Sequence, residues 1–211
     1  MKSQEFLATV LPSSGKYCAC ELSTAKKEHV FVDTIDELYN EATHFSGEGL
    51  NAFYALASFN TSGKRLATNA VKIKSLFLDI DCGENKDYPT QKEAAAALKD
   101  FLVKTGLADL GDPYIVSSGG GLHVYWPFSE EVDIATWKPV AENLKRLCKK
   151  EGLRIDAMVT GDAARVLRVP ETRNYKQEKP RAVSIRVVGE VFDFNVLSTV
   201  IKNKVGEDSH E

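Results

Sequence analysis

The sequence predicts a mixed α/β fold. Short apolar runs rich in Val, Ile, Phe and Tyr alternate with segments whose apolar residues recur at helical spacing. Two of the helical segments open with a capping box, Thr34 with Glu37 and Thr90 with Glu93. Hydrophobic residues make up 43% of the 211 residues, which is enough for a packed core and argues against disorder.

The predicted elements follow one another without a repeat or a low-complexity linker. Helices are expected after Thr34, from Thr90 to near Gly106, and around Trp137 to Cys148, where apolar residues share one helix face. Strands are expected at 51–59, 72–81, 113–117, 122–128, 164–169 and 182–188, with a hairpin turn at 118–121. We expect a single domain over 1–202, and a polar tail or truncation point at 203–211.

Charge is distributed unevenly along the chain. The net charge is −3, which by itself is not typical of a protein that binds nucleic acid. However, eleven lysines and arginines fall between residues 145 and 181, while acidic residues gather near the end. A local basic face on an acidic protein is therefore compatible with the sequence.

The four cysteines and the apolar segments indicate where the protein resides. Cys18 and Cys20 are too close for a zinc knuckle and Cys82 and Cys148 stand alone, so we predict buried, reduced thiols. The apolar run 6–11 is too short for a signal peptide, and nothing approaches the ~20 apolar residues of a membrane span. A cytoplasmic location without a membrane partner is expected.

The first chemical motif is Asp79-Ile80-Asp81 at the end of a predicted buried strand. Residues i and i+2 of a strand project from the same face, so the two carboxylates should lie side by side. They repel each other unless a cation neutralises them, and Mg²⁺ or Mn²⁺ prefers oxygen ligands. A strand that simply runs into a solvated loop is the alternative interpretation.

The second motif is the turn Ser118-Gly119-Gly120-Gly121, followed by His123. Consecutive glycines let backbone N–H groups converge on an anion, and a histidine nearby can add a donor. A flexible hairpin turn with a half-buried histidine explains the same residues.

The third motif spans residues 156–176. It contains Asp156, a candidate third carboxylate, and Arg168, which alternates with apolar neighbours on a predicted strand. Arg168 is either an exposed strand residue or a guanidinium directed at phosphate.

Together the three motifs resemble the archaeo-eukaryotic primase superfamily. The pattern of that superfamily has three parts in order. A hydrophobic-Asp-x-Asp motif comes first, and a Ser-Gly-rich turn that ends in x-His comes second. The third part is an Asp followed by Arg-x-x-Arg-hydrophobic-Pro-Gly-Thr/Ser and then by an Asn or His. The likeness covers residues 51–176 and begins with the apolar segment 53–59 and the pair Lys64-Arg65. The likeness does not place residues 1–50 or the tail.

The resemblance implies a role for each matching residue. Metal ligands would be Asp79, Asp81 and Asp156, and nucleotide-binding residues would be Ser118, Gly119, Gly120, Gly121, His123, Arg168, Asn174 and Lys176. Arg165 and Asp162 are interpreted as structural partners around the site.

The resemblance also implies a fold and an activity. The fold would be a mostly antiparallel sheet of the RNA-recognition type joined to an N-terminal α/β lobe. The activity would be nucleotidyl transfer by two Mg²⁺ or Mn²⁺ ions, joining nucleoside triphosphates on a single-stranded DNA template. A helicase or a helical priming domain in the same or another chain would be a partner, in a phage, a plasmid or a prokaryotic host cell.

One position departs from the family pattern. Glu171 follows Pro170 where the family usually has glycine. A side chain here is expected to change the turn and to bring negative charge close to a phosphate site.

Two other functions share features with this sequence. A phosphatase of the haloacid dehalogenase type also begins with Asp-x-Asp, but it needs Thr or Val where this chain has Gly83. A non-catalytic DNA-binding replication module with the same fold is compatible with the acidic net charge and with Glu171.

Overall fold

The computed structural model describes residues 1–60 and 63–206, in which six α-helices and eleven β-strands form. The helices are α1 (Ser3–Val10), α2 (Ile35–Gly47), α3 (Gln91–Thr105), α4 (Ile134–Lys150), α5 (Ala157–Thr160) and α6 (Phe194–Gly206), with 3₁₀ turns at Ala67–Asn69 and Leu107–Leu110. The strands are β1 (Tyr17–Glu21), β2 (His29–Val32), β3 (Ala52–Ala55), β4 (Ala57–Phe59), β5 (Ala70–Asp81), β6 (Tyr114–Ser117), β7 (Gly121–Asp133), β8 (Val166–Arg168), β9 (Arg173–Asn174), β10 (Arg181–Ala182) and β11 (Ser184–Val187). The prediction of a mixed α/β fold is confirmed.

The strands form two principal sheets and a small ribbon. One sheet has the order β2-β1-β3-β8 and belongs mainly to the N-terminal part, and the other has the order β11-β6-β7-β5-β4. Every pairing between the named strands is antiparallel. In the five-stranded sheet the chain follows a β-α-β-β-α-β order from β5 through α3, β6, β7 and α4 to β11. The expected antiparallel sheet with an N-terminal α/β lobe is therefore present.

The helix boundaries follow the capping signals in the sequence. Thr34 Oγ1 accepts a hydrogen bond from the backbone N–H of Glu37, and Thr90 Oγ1 accepts one from that of Glu93, both at 3.2 Å. The helix α3 ends at Gly106, whose φ of 79° is the left-handed conformation that glycine adopts without strain. No helix among the described residues has the length and apolar character needed to cross a bilayer.

The predicted single strand at 51–59 is wrong in one respect, because the chain changes sheets within it. The strand β3 belongs to the four-stranded sheet and β4 to the five-stranded one, and Leu56 lies between them. The backbone N–H of Leu56 donates to the carbonyl of Arg165 at 3.1 Å. Alternation of side chains identifies extended backbone but not the sheet to which it belongs.

The central strand β5 is fixed from the side by α4. The indole of Trp137 packs against the ring of Phe77 with centroids 5.9 Å apart, and its Nε1–H donates to the carbonyl of Ser75 at 3.0 Å. Both aromatic side chains are fully buried. This packing holds the strand whose last residues are Asp79 and Asp81.

The first residues of the predicted polar tail are helical. The helix α6 continues to Gly206, because Val205 packs against the core and Lys150 Nζ donates to the carbonyl of Lys204 at 2.6 Å. The remaining residues of the predicted tail, 207–211, lie outside the described residues.

The cysteine prediction holds at three of four positions. Cys18, Cys20 and Cys148 are buried in the core. Cys82 is half-buried, because it directly follows the end of β5 and lines the cavity described below.

Candidate active site

A cavity of about 210 Å³ lies where the ends of β5, β7 and β8 meet. Of the residues predicted for the site, it is lined by Asp79, Asp81, Ser118, Gly120, His123, Arg168, Asn174 and Lys176. The structure therefore brings together side chains from all three sequence motifs. Gly119, Gly121 and Asp156 lie beside this cavity rather than in its lining.

Asp79 and His123 form the floor of the cavity. They are paired residues on the neighbouring strands β5 and β7, and His123 Nε2 lies 3.5 Å from Asp79 Oδ1. Burial acts to raise the pKa of Asp79, but His123, followed by Arg165 and Arg168, outweighs this effect and lowers it. Asp79 is therefore held as a carboxylate in a largely buried position.

Asp81 is the exposed member of the carboxylate pair. It lies two residues beyond Asp79 on the same strand and lines the same cavity, as predicted. Burial raises its pKa, and the charges of Asp79 and Asp156 raise it further. The end of β5 therefore concentrates negative charge from neighbouring carboxylates.

Asp156 is connected to this strand through its backbone. Its N–H donates to the carbonyl of Asp79 at 2.8 Å, whereas its Oδ1 accepts from the N–H of Met158 and caps α5. Within residues 1–60 and 63–206, no three His, Cys, Asp or Glu side chains are arranged around a common metal position. The predicted three-carboxylate cluster is thus present as a pair, with Asp156 close by and facing its own helix.

The carboxylates present fit a divalent cation by their chemistry. Asp79 and Asp81 supply oxygen donors, which Mg²⁺ and Mn²⁺ prefer. Burial and then repulsion from Asp79 and Asp156 raise the pKa of Asp81, and a bound cation would offset that repulsion.

The glycine turn mostly satisfies its own N–H groups. Ser118 N–H donates to the carbonyl of Gly121 at 3.0 Å, and Gly121 N–H donates to Ser118 Oγ at 2.9 Å. Gly119 N–H lies 3.4 Å from Ser117 Oγ, a weaker bond. In this conformation these three groups are not directed together at an anion, in contrast to the predicted nest.

Close packing explains why glycine is needed in this turn. A Cβ atom on Gly121 would lie 2.1 Å from the carbonyl oxygen of Ile80, so β5 and the hairpin could not approach as they do. Gly119 has a φ of 87°, and a Cβ there would lie 2.9 Å from that of Asn174. The glycines thus let the hairpin pass directly over the end of the carboxylate strand.

Arg168 is buried, so the interpretation as an exposed strand residue is wrong. Only 5% of its surface is exposed, and its guanidinium lies 4.7 Å from the centre of the Phe53 ring. Its Nη1 donates to Asn51 Oδ1 at 2.8 Å. Burial lowers its pKa to about 10, although Asp79 acts in the opposite direction. The guanidinium of Arg168 is thus held in a fixed position near Asp79.

Arg165 lies in the candidate site, although a structural role was expected for it. It lines the cavity and contributes to the lowered pKa of Asp79. Its Nε is buried and has no hydrogen-bond partner in the part of the chain that the structure describes. Its contact with Asp162 is made by the backbone, from Arg165 N–H to the carbonyl at 3.2 Å. The sequence feature that could have identified Arg165 is the Arg-x-x-Arg spacing, in which it precedes Arg168 by three residues.

Asn174 and Lys176 occupy different positions in the wall. Asn174 is buried, and its Nδ2 donates to the carbonyl of Ser118 at 2.8 Å, while its Oδ1 accepts from Lys176 N–H at 3.0 Å. It therefore ties its own segment to the glycine turn. The side chain of Lys176 is exposed at the edge of the cavity.

Besides Phe53, Val166 and Leu167 on strands β3 and β8, three further cavity residues were not predicted as site residues. They are Cys82, Lys86 and Gln177, two from the loop after β5 and one from the segment after β9. Lys86 adds a cation close enough to oppose the rise in the pKa of Asp81. Burial and the charge of Asp81 raise the pKa of the Cys82 thiol to about 11, so it remains protonated at neutral pH.

The side chain of Glu171 lies outside the cavity, contrary to the expectation for its charge. Its φ of 70° is in the left-handed region that favours glycine. Its Oε2 accepts a hydrogen bond from Tyr39 at 3.1 Å, which directs the carboxylate toward α2 and outside the cavity.

Comparison with models of protein families and with curated proteins gives no match. Comparison with solved structures does. The AEP domain of the cyanophage S-2L primase-polymerase (PrimPol) superposes with a TM-score of 0.64 at 17% identity, over 93% of this chain and 95% of that one. The primase RepB' superposes with a TM-score of 0.60 at 8% identity, over 98% of this chain and 64% of that one.

The chain has the primase-polymerase fold. The resemblance carried by the three motifs is thereby confirmed at the level of the fold. The superposition on the AEP domain extends beyond the region of motif likeness. Within the primase-polymerase fold, residues 1–50 supply α1, α2 and the strands β1 and β2, which the motifs alone did not place.

Proposed function

We propose that this protein is a template-dependent nucleotidyltransferase, a DNA primase or primase-polymerase that joins nucleoside triphosphates on single-stranded DNA. One observation carries the proposal. Asp79 and Asp81 share a cavity with two arginines, Arg165 and Arg168, on a primase-polymerase fold. Adjacent carboxylates and guanidinium groups are the residues that metal-assisted phosphoryl chemistry requires.

The proposed reaction joins a 3′-hydroxyl to the α-phosphorus of an incoming nucleotide. The new P–O bond forms as the bond to the bridging oxygen breaks, pyrophosphate leaves, and the hydroxyl proton passes to solvent. Arg165 and Arg168 bind the triphosphate oxygens, with Lys176 at the open edge of the cavity. The glycine turn and His123 shape the wall against which the nucleotide lies.

Asp79 and Asp81 are the proposed holders of Mg²⁺ or Mn²⁺, with Asp156 joining them once its carboxylate leaves the cap of α5. The cations would supply charge stabilisation to the pentacovalent α-phosphorus and to the leaving pyrophosphate. His123 keeps Asp79 ionised, which preserves its capacity as a ligand.

A priming and extension assay tests the proposal. Single-stranded DNA, labelled nucleotides and Mg²⁺ or Mn²⁺ are supplied with and without a primer, and Asp79→Ala/Asp81→Ala is compared with wild type. Loss of the metal carboxylates should lower the rate by roughly 10³-fold or more, which corresponds to several kcal/mol of barrier. The matched control is Asp100→Ala, which removes an exposed carboxylate paired with Lys104 on α3.

Product formed by wild type and by Asp100→Ala, and absent from the double variant, would establish the activity. Equal synthesis by the folded double variant would refute the assignment of Asp79 and Asp81. Synthesis without a primer would separate a primase from an enzyme that only extends. The same proposal includes a helicase or a helical priming domain as a partner. It also includes a phage, a plasmid or the host cytoplasm as the setting.

One observation favours a second candidate, a non-catalytic DNA-binding module. The Asp156 carboxylate caps α5 instead of joining Asp79 and Asp81. A module of this kind binds DNA without needing a nucleotide and a metal together. Calorimetry of nucleotide binding with and without Mn²⁺ separates the two, since metal-dependent nucleotide binding favours the enzyme and no nucleotide binding favours the module.

A further inference from the structure

A second, larger depression lies next to the candidate active site. It has a volume of about 760 Å³ and runs between the C-terminal half of α4 and the segment at 152–157. We call it the α4 groove, and it is lined by Asp87, Glu142, Lys145, Arg146, Lys149, Gly152, Leu153, Arg154, Ile155 and Ala157. Nothing in the proposed chemistry uses these residues.

The α4 groove is basic although the protein as a whole is acidic. Its lining has four cations and two carboxylates, in a chain with a net charge of −3. Of the carboxylates, Glu142 is already engaged by Lys138 at 3.2 Å and by Lys145 at 3.6 Å on its own helix. Across the described ranges Arg146 and Lys149 form no ion pair, and Arg146 donates only to Asn143 Oδ1 at 3.1 Å. Positive charge is therefore available to an external anion.

The opposite wall of the groove is held in a fixed conformation. Arg154 Nη1 donates to the carbonyl of Asp87 at 2.9 Å, and its guanidinium lies 5.7 Å from the centre of the Tyr88 ring. The backbone N–H of Arg154 donates to the Tyr88 hydroxyl at 3.1 Å. A guanidinium anchored through one nitrogen keeps its other donors for a ligand, at a small cost in conformational entropy.

The groove and the active-site cavity share two stretches of chain. Ile155 and Ala157 line the groove on either side of Asp156, whose N–H is bonded to the carbonyl of Asp79 at 2.8 Å. In the loop after β5, Lys86 lines the cavity and the next residue, Asp87, lines the groove. A polymer lying in the groove would therefore be led to the carboxylates.

We propose that the α4 groove binds the phosphate backbone of the single-stranded DNA template and guides it to the active site. The inference rests on the proposed function and adds the surface that binds the template. Three of the cations are spaced along one face of α4 and Arg154 lies on the opposite wall, so that they contact successive phosphates. The apolar residues Leu153, Ile155 and Ala157 give a wall for sugars and unpaired bases. A lone nucleotide would use only part of such a surface.

The test measures the anisotropy of a 5′-labelled oligo(dT) at several salt concentrations. Arg146→Gln/Lys149→Gln is compared with Lys92→Gln/Lys99→Gln, which removes the same charge from exposed positions on α3. Loss of two phosphate contacts should make the slope of log K against log salt shallower by about 1.4 and weaken binding on the order of tenfold near 0.1 M salt. The control pair should bind as wild type does.

Equal affinity and salt slope for the two double variants would overturn the proposal, as would failure of the wild type to bind oligo(dT). Loss of binding to a fluorescent nucleotide, with oligo(dT) binding intact, would overturn it in favour of a nucleotide site. The measurement needs no catalysis, so failure of the proposed function appears separately, as synthesis that does not depend on Asp79 and Asp81. Weaker oligo(dT) binding with unchanged nucleotide binding supports the groove.

Discussion

Asp79 and His123 lie opposite each other on adjacent antiparallel strands, with Asp79 Oδ1 3.5 Å from His123 Nε2. Their side chains are 16% and 5% exposed, so the pair is largely withdrawn from solvent. The other ring nitrogen, Nδ1, has no hydrogen-bond partner within the described chain. The register of β5 with β7 thus places a histidine where it supports the charge of a buried carboxylate, and that arrangement can be tested.

His123→Ala should slow nucleotide incorporation by about tenfold or more and leave oligo(dT) binding within about twofold of wild type. The substitution removes the partner that contributes most to the lowered pKa of Asp79 but leaves the α4 groove intact. Extension kinetics and anisotropy on the same preparation give both values. Equal losses in the two measurements would contradict a local role for His123.

Arg165→Ala should weaken nucleotide binding by about tenfold or more, because a charge-assisted hydrogen bond contributes ~1.5–3 kcal/mol. Arg173→Ala, which alters an exposed arginine outside the cavity, should change it less than twofold. Titration with a fluorescent nucleotide measures both. If the two variants bind alike, the unpartnered Nε of Arg165 has no part in nucleotide recognition.

Gly121→Ala should lower the free energy of unfolding by about 1–3 kcal/mol, the usual cost of forcing extra atoms into a packed site. The added Cβ would lie 2.1 Å from the Ile80 carbonyl oxygen, and that backbone atom cannot move without disturbing β5. Gly47→Ala is the control, since a Cβ at this helical position meets nothing within 4 Å. Urea denaturation compares them, and similar stabilities would show that the hairpin adjusts freely.

Glu171→Gly should be more stable than Glu171→Ala by about 1 kcal/mol. Both variants lose the hydrogen bond from Tyr39, but only glycine adopts a φ of 70° without a steric penalty. The difference between their urea midpoints at equal m-value reports the backbone effect alone. A more stable alanine variant would mean that the turn does not require the left-handed conformation.

Stability should fall at acid pH in a way that depends on Glu21. Burial raises its pKa, but hydrogen bonds from Thr24, Glu28 and Ser23 outweigh this and lower it to about 2. A lowered pKa stabilises the folded state above about pH 4.5, and this contribution is lost as the pH falls toward 2. Glu21→Gln should therefore be less stable at pH 6 and should show a flatter dependence between pH 4.5 and 2 in thermal unfolding. Parallel curves for the two proteins would contradict this.

The order of the sequence motifs was enough to predict the fold and the principal cavity residues. Asp79 and Asp81 were predicted to share a strand face, and they do, because the period of a strand fixes side-chain direction. The direction of the Asp156 side chain could not be predicted in this way. Its carboxylate caps α5, and this local hydrogen bond competes with binding of an external ligand. Likewise, the burial of Arg168 depends on the partner strand that carries Phe53, which alternation along one strand does not identify.

The crossing at Leu56 restricts how the cavity can open. Asp79 belongs to one sheet and Arg168 to the other. Between β3 and β4 the connection from sheet to sheet is one residue long, and the amide of that residue is bonded to the carbonyl of Arg165. Separating the sheets as rigid halves would strain this short connection and break that bond. The spacing between the carboxylates and the guanidinium groups is thus set when the protein folds. Under the proposed function, a nucleotide would enter a preformed gap by displacing side chains at its rim rather than by moving one lobe away from the other.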